Sequence, residues 1–249
     1  MDRQWTGELG VRKARDVSSS NASTETTAPA SASPASSTAS VAGSAAPAPA
    51  VLPGRRGAGP YRVVMVCTGN ICRSAMAEVV LRDRLAAAGI PDSGPGGVTV
   101  ASAGVSDEEH GNPIDSRARR VLTEAGYGVG ADDVSRATAS AIASHTAHRV
   151  TDAEITEADL LLAMTDSHWN VLQRRAASLG AEPDRIRMYR ELDPASAQQA
   201  EGVTAGGSSR GVLNVPDPWY GTMADFLDTL EVVERVSDEL AEQLTALRD

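Results

Sequence analysis

The chain has 249 residues, with 33 acidic against 23 basic side chains, a formal net charge of −10 at pH 7, and two cysteines. Its length leaves room for one sizeable domain or two small ones, and two cysteines exclude a disulfide framework or a four-thiolate zinc site. The acidity disfavours a nucleic-acid partner, whose phosphate backbone it repels, and the single lysine, Lys13, excludes a Walker-A or kinase-type lysine from anything folded downstream.

From Val17 to Ala50 the composition is 11 Ala, 10 Ser, 4 Thr and 4 Pro, with almost nothing to bury. Such a stretch cannot offset its own ordering entropy, so residues 1–57 are expected to form a disordered tail and residues 60–249 one folded domain. The tail carries a balance of +2, which places −12 on the domain. No apolar run reaches the roughly 18 residues of a membrane helix, and MDRQWTGELGVRKARD lacks the apolar stretch of a secretory signal. A cytoplasmic protein without a membrane span is expected.

Tyr61 to Val66 (YRVVMV) is a β-branched apolar run between GRRGAGP and CTGN, as expected of a buried parallel strand. After Arg73, apolar residues recur at helical spacing until Gly89 and Pro91. Further strands are predicted at Val98 to Ser102, Asp159 to Met164 and Arg185 to Arg190. Helices are predicted at Asn112 to Ala125, Asp166 to Leu179 and Met223 to Leu247. The last carries Phe226, Leu227, Leu230, Val233, Val236, Leu240 and Leu244 on one stripe. Ala195 to Gly211 reads as a polar, Gly-rich surface loop. Alternating strands and helices predict a three-layer α/β fold, a small parallel sheet of about four strands with helices on both faces.

The chemistry concentrates in VCTGNICRSA, where the first strand meets the first helix. A cysteine at the C-terminal end of a parallel strand lies on the edge where α/β sheets bind ligands. The backbone N–H groups of Thr68, Gly69, Asn70, Ile71, Cys72 and Arg73 can converge on one tetrahedral anion at a helix N-terminus, and the planar fork of Arg73 can grip two of its oxygens. The same amides, helix dipole and cation favour a thiolate on Cys67, poised to attack phosphorus. A second element must protonate the departing oxygen and then activate water. NVPDPWYG at residues 214–221 supplies it: Asp217 precedes Pro218, which holds it in extended loop geometry. The chain has only eight aromatic residues, so Trp219 and Tyr220 side by side in a polar loop suggest walls of an aromatic-binding cleft. Alone, DPWY would read as a turn before a helix.

CTGNICRS and DPWYG, together with ASAGVS, GNPIDSRARRVLTEAGY, HTAHRVTDAEI and ADLLLAMTDSH in that order, resemble the low-molecular-weight protein tyrosine phosphatase family across residues 60–249. The resemblance implies Cys67 as nucleophile, Arg73 as phosphate and transition-state binder, and Asp217 as general acid and then base. It implies Ser74 as the hydroxyl supporting the thiolate, and Asn70, Ser102 and His145 as the set that holds the loop in shape. It implies tyrosine-phosphorylated proteins as substrates, with no cofactor and no metal. Departures from the family pattern are Ala75 for proline, Trp219 for the first of two tyrosines, Thr165 for aspartate after LAM, and Glu108 and Glu109 at a rim position that often contains tryptophan. His110, His148 and His168 read as surface histidines.

Two other activities share this loop. A thiol-linked arsenate reductase needs downstream cysteines for its disulfide relay; none follows Cys72, so only a reaction using an external thiol survives. Arginine-directed phosphatases resemble the chain at LAMT but carry threonine where Ile71 stands. A catalytically silent phosphotyrosine-binding module would have no need of Cys67, Arg73, Ser74 and Asp217 together.

Overall fold

A computed structural model describes residues 51–207 and 209–247. Four parallel strands, β1 (Tyr61–Cys67), β2 (Val98–Gly104), β3 (Leu160–Ala163) and β4 (Ile186–Met188), form a single sheet in the order β2-β1-β3-β4. The helices are α1 (Arg73–Ala87), α2 (Ser116–Glu124), α3 (Asp133–Ser144), α4 (Asp152–Glu157), α5 (Asp166–Leu179), α6 (Ala197–Thr204) and α7 (Met223–Ala246). Side chains alternate across the pleat of β1. Tyr61, Val63, Met65 and Cys67 join a core with α1, α2, α3 and α7, whereas Val64 and Val66 join a second core with α4, α5 and α6. Both faces of the sheet are therefore buried, which is why its strands read as continuous apolar runs.

The chain leaves β1 for β2 on one side and returns to β3 on the other, so β1 and β3 flank a topological switch point. In open α/β sheets ligands bind at such a point, outside the C-terminal ends of the strands. The last residue of β1 is Cys67.

Several expectations need correction. Helix α2 starts at Ser116 rather than Asn112, because Pro113 holds its predecessor out of helical geometry and Asp115 caps the helix, accepting from Arg117 N and Ala118 N. The strand expected to reach Arg190 stops at Met188 and continues as a 3-10 turn over Tyr189–Leu192. The region 195–211 is not a plain loop: it contains α6, which buries Ala200. Leu227 lies off the buried stripe of α7, with 52% exposure, since it stands about 100° around the helix from Phe226. Residues 51–57 pack on the domain although they read as tail. Leu52 is buried, Tyr61 Oη donates to Pro53 O at 2.9 Å and Arg56 N donates to Asp159 Oδ1 at 2.6 Å. The packed chain thus begins upstream of Pro60, and the rest of the expected tail lies outside the described residues. Among the described residues, no helix is long and apolar enough to cross a membrane.

Candidate active site

Between β1 and α1, residues 67–73 turn back on themselves around the Cys67 thiol. Asn70, with φ of 61°, is the only non-glycine residue with positive φ among those described. Asparagine tolerates this region better than most side chains, and here its polar groups are all engaged. Its Nδ2 donates to Ser74 Oγ at 3.1 Å and to Ser102 Oγ at 2.8 Å, and its Oδ1 accepts from His148 N at 3.1 Å. Its carbonyl accepts from His145 Nε2 at 2.7 Å. Ser102 in turn donates to Glu78 Oε2 at 2.6 Å. A strained turn persists when its surroundings over-determine it, and these contacts do so. Ser102 and His145 therefore meet on Asn70, away from the thiol itself.

Cys67 Sγ accepts from Asn70 N at 3.3 Å and lies 3.0 Å from Ser74 Oγ. Helix α1 begins at Arg73 without a side-chain cap, so its first backbone N–H groups are free to meet an anion. Arg73 is 3% exposed; its Nη1 donates to Val215 O at 3.2 Å, and its Nη2 donates to Thr68 Oγ1 at 3.4 Å and to Asp217 Oδ2 at 2.6 Å. Its Nε is buried and has no hydrogen-bond partner among the described residues. A buried cationic donor without a partner fits a tetrahedral oxyanion delivered to the loop.

The loop forms the floor of a cavity of about 110 Å³. Cys67, Thr68, Gly69, Ile71, Cys72 and Arg73 of the loop line it, together with Glu108 and Glu109 and with Asp217, Trp219 and Tyr220. Asp217 faces the arginine with its side chain 40% exposed, and its Oδ1 accepts from Trp219 N at 3.2 Å. Tyr220 is 93% exposed at the mouth. Burial, with Asp115 the next contribution, pushes the Cys72 thiol up and keeps it protonated at neutral pH.

His168 corrects the expectation of a surface histidine. It is buried on the first turn of α5, with Nε2 3.0 Å from Thr68 Oγ1 and, among the described residues, no partner for Nδ1. Burial first, and the nearby Arg73 charge second, push it down to about 4. His148 pairs through Nε2 with Glu154 Oε1 at 2.9 Å. His110 is exposed. Thr165, which resembles the arginine-directed enzymes, caps α5 by accepting from His168 N at 3.3 Å and does not line the cavity.

Sequence reasoning missed Glu78, His168 and the Asp115–Arg117 pair. Only the pair left a local signal, an N-capping Asp followed two residues later by Arg in GNPIDSRA. The others depend on where distant elements converge.

A family model described as low molecular weight phosphotyrosine protein phosphatase matches residues 62–248. A low molecular weight protein-tyrosine-phosphatase of Streptomyces coelicolor is 36% identical over 190 residues, which cover 76% of this chain and 94% of the relative. Among solved structures, the low molecular weight protein tyrosine phosphatase from T. tengcongensis superposes with a TM-score of 0.52 at 28% identity, covering 73% of this chain and 98% of that one. An arginine phosphatase from Geobacillus stearothermophilus superposes with a TM-score of 0.51 at 26% identity, covering 75% and 94%.

Proposed function

Because the chain belongs to the low molecular weight phosphotyrosine protein phosphatase family, we propose that it hydrolyses phosphotyrosine in protein substrates through a cysteinyl-phosphate intermediate. One observation carries this reading: the Cys67 thiol, held by Asn70 N–H and Ser74 Oγ, and the Asp217 carboxyl line the same small cavity. The loop amides, the N-terminus of α1 and the fork of Arg73 bind the phosphoryl oxygens. The Cys67 thiolate attacks phosphorus, forming the S–P bond as the bond to the phenolic oxygen breaks. Asp217, protonated, delivers its proton to that oxygen, whose phenol has a pKa of about 10 and is a poor leaving group as an anion. The resulting carboxylate takes a proton from water as the water attacks phosphorus, releasing inorganic phosphate and the thiolate. The Ser74 hydroxyl stabilises the thiolate at both stages, and Asn70, Ser102 and His145 keep the amides converged.

A second reading, hydrolysis of phosphoarginine, draws on the superposition with the arginine phosphatase. The cavity favours the first. Ile71 lines it and offers an apolar contact to a flat ring, with Trp219 and Tyr220 beside it, whereas Thr165 is turned to its own helix. At position 71 the cavity offers a polar guanidinium no hydroxyl, which discriminates against it.

The test is steady-state hydrolysis of matched phosphotyrosine, phosphoarginine and phosphoserine peptides. Efficiency on phosphotyrosine is expected to be at least about tenfold above phosphoarginine, and Ile71→Thr narrows that gap. Cys67→Ser retains phosphate binding but less than about 1% of turnover. Asp217→Asn loses more on phosphotyrosine than on an activated aryl phosphate whose leaving group needs no proton. A wild-type preference for phosphoarginine would overturn the substrate, and substantial turnover by Cys67→Ser would overturn the intermediate.

A further inference from the structure

The segment that carries Asp217 is tethered at few points. Upstream, Val215 N donates to Met164 O at 2.8 Å, and downstream Thr222 caps α7. Between them, among the described residues, hydrogen bonds from the rest of the fold to residues 216–221 come only from Arg73 and Arg117. The Arg73 contact is the one an incoming phosphoryl group competes for, since its oxygens and Asp217 Oδ2 both seek Nη2. Once it is given up, Arg117 is the remaining polar tether.

Arg117 is built for that task. Its Nη1 donates to Trp219 O at 3.1 Å and to Gly221 O at 3.5 Å, on either side of Tyr220. Its guanidinium lies over the rings of Trp219 and Phe226, 5.5 and 4.6 Å from their centroids. On its other side Nε and Nη2 donate to the two carboxylate oxygens of Asp115, at 3.2 and 3.0 Å. Asp115 N donates to Ile71 O, in the phosphate-binding loop, at 2.9 Å. A continuous chain of contacts therefore runs from that loop through Asp115 and Arg117 to the segment holding Asp217.

We propose that Arg117 is a positioning residue that clamps the Asp217 segment to the phosphate-binding loop, so that the carboxyl faces the leaving oxygen after phosphate has taken Arg73. The proposal rests on the reading of Asp217 as general acid. A planar fork is needed because three directions are served at once, the carboxylate, the two carbonyls and the ring faces, and an ammonium serves only one well.

The experiment compares wild type, Arg117→Lys, Arg117→Gln, Asp217→Asn and the double variant Arg117→Gln/Asp217→Asn on a phosphotyrosine peptide and on an activated aryl phosphate. Inorganic phosphate is the competitive inhibitor, and thermal unfolding is recorded for each protein. Both Arg117 variants are expected to lose about tenfold or more in kcat/KM on phosphotyrosine and less than about threefold on the activated substrate, with phosphate inhibition unchanged. In the Asp217→Asn background, Arg117→Gln adds almost nothing on phosphotyrosine, because the group it positions is already gone. Equal losses on both substrates, a parallel weakening of phosphate inhibition, or full additivity with Asp217→Asn would overturn the clamp. If Arg117→Gln does not fold, Arg117→Lys, which keeps the charge and the stem, decides by the same readouts. Failure of Asp217→Asn itself to discriminate between the substrates would instead overturn the acid assignment.

Discussion

His168 shows how a single side chain can support a site without touching the thiol. Its ring meets Thr68 Oγ1, which also accepts from Arg73 Nη2, so the imidazole buttresses the residue next to the nucleophile. An imidazole that titrates at about 4 in the fold, against about 6.5 in the unfolded chain, is neutral in the native protein at physiological pH. Between those two values the unfolded state binds more protons, so stability falls as pH drops from about 6.5 towards about 4. His168→Asn keeps a polar atom for Thr68 but does not titrate. Between pH 7 and pH 4.5, chemical denaturation is expected to show the wild type losing about 2 to 3 kcal/mol more than this variant. Equal losses would mean that the imidazole can hold its proton in the folded state. Nothing local in TDSHWN announces this role, because it depends on the first turn of α5 meeting the loop that follows β1.

Among the elements, the junction of β2 with the phosphate-binding loop allows little freedom. Gly104 ends β2 opposite Cys67, and a Cβ there would stand 2.5 Å from Thr68 O, 3.2 Å from Gly69 C and 3.3 Å from Asn70 N. All three are backbone atoms of the loop, so no side chain can swing away to make room. Gly104→Ala is expected to push the amides out of convergence, lowering kcat/KM by about tenfold or more and stability by about 1 to 3 kcal/mol. Near-normal turnover with unchanged phosphate inhibition would show that the loop tolerates displacement.

The elements also differ in how much of themselves the sequence displays. The strands, α1, α5 and α7 follow from apolar runs and periodic stripes, and the bounds of α5 coincide with those predicted. Helix α3 buries only Thr138 and Ile142, too few for an amphipathic signal. Helix α4 has six residues, and its sign was the capping box of Thr151 with Glu154 rather than its periodicity. In the candidate site, CTGNICRS and Asp217 were legible because a loop and a helix N-terminus are written in consecutive residues. Glu78 was not, and Arg117 left a local signal only in its pairing with Asp115, since its other partners lie far along the chain.

At the scale of the whole molecule, a dianionic substrate must approach a protein with a formal charge of −10. Arg73 and the loop amides attract the substrate at the floor of the cavity, whereas Glu108 and Glu109 also line the cavity and Tyr220 is exposed at its mouth. Glu109 Oε2 accepts from Asn112 Nδ2 at 2.7 Å, which fixes that carboxylate beside the opening. Peptide residues flanking a phosphotyrosine seated on the floor pass close to this acidic rim. Lysine or arginine there is drawn in, and glutamate or aspartate is repelled. At low ionic strength, kcat/KM for a basic-flanked phosphotyrosine peptide is therefore expected to exceed that for an acidic-flanked one by about three- to tenfold. The difference should shrink towards unity as added salt shortens the Debye length to about 3 Å near 1 M. A small aryl phosphate, which reaches past the rim with no flanking residues, sets the reference for how salt acts on the floor alone. Replacing both rim residues, Glu108→Gln with Glu109→Gln, should remove most of the preference while leaving kcat on the small substrate nearly unchanged. A basic preference that survived both high salt and the double replacement would have to come from short-range contacts elsewhere on the rim, and the electrostatic account would be wrong.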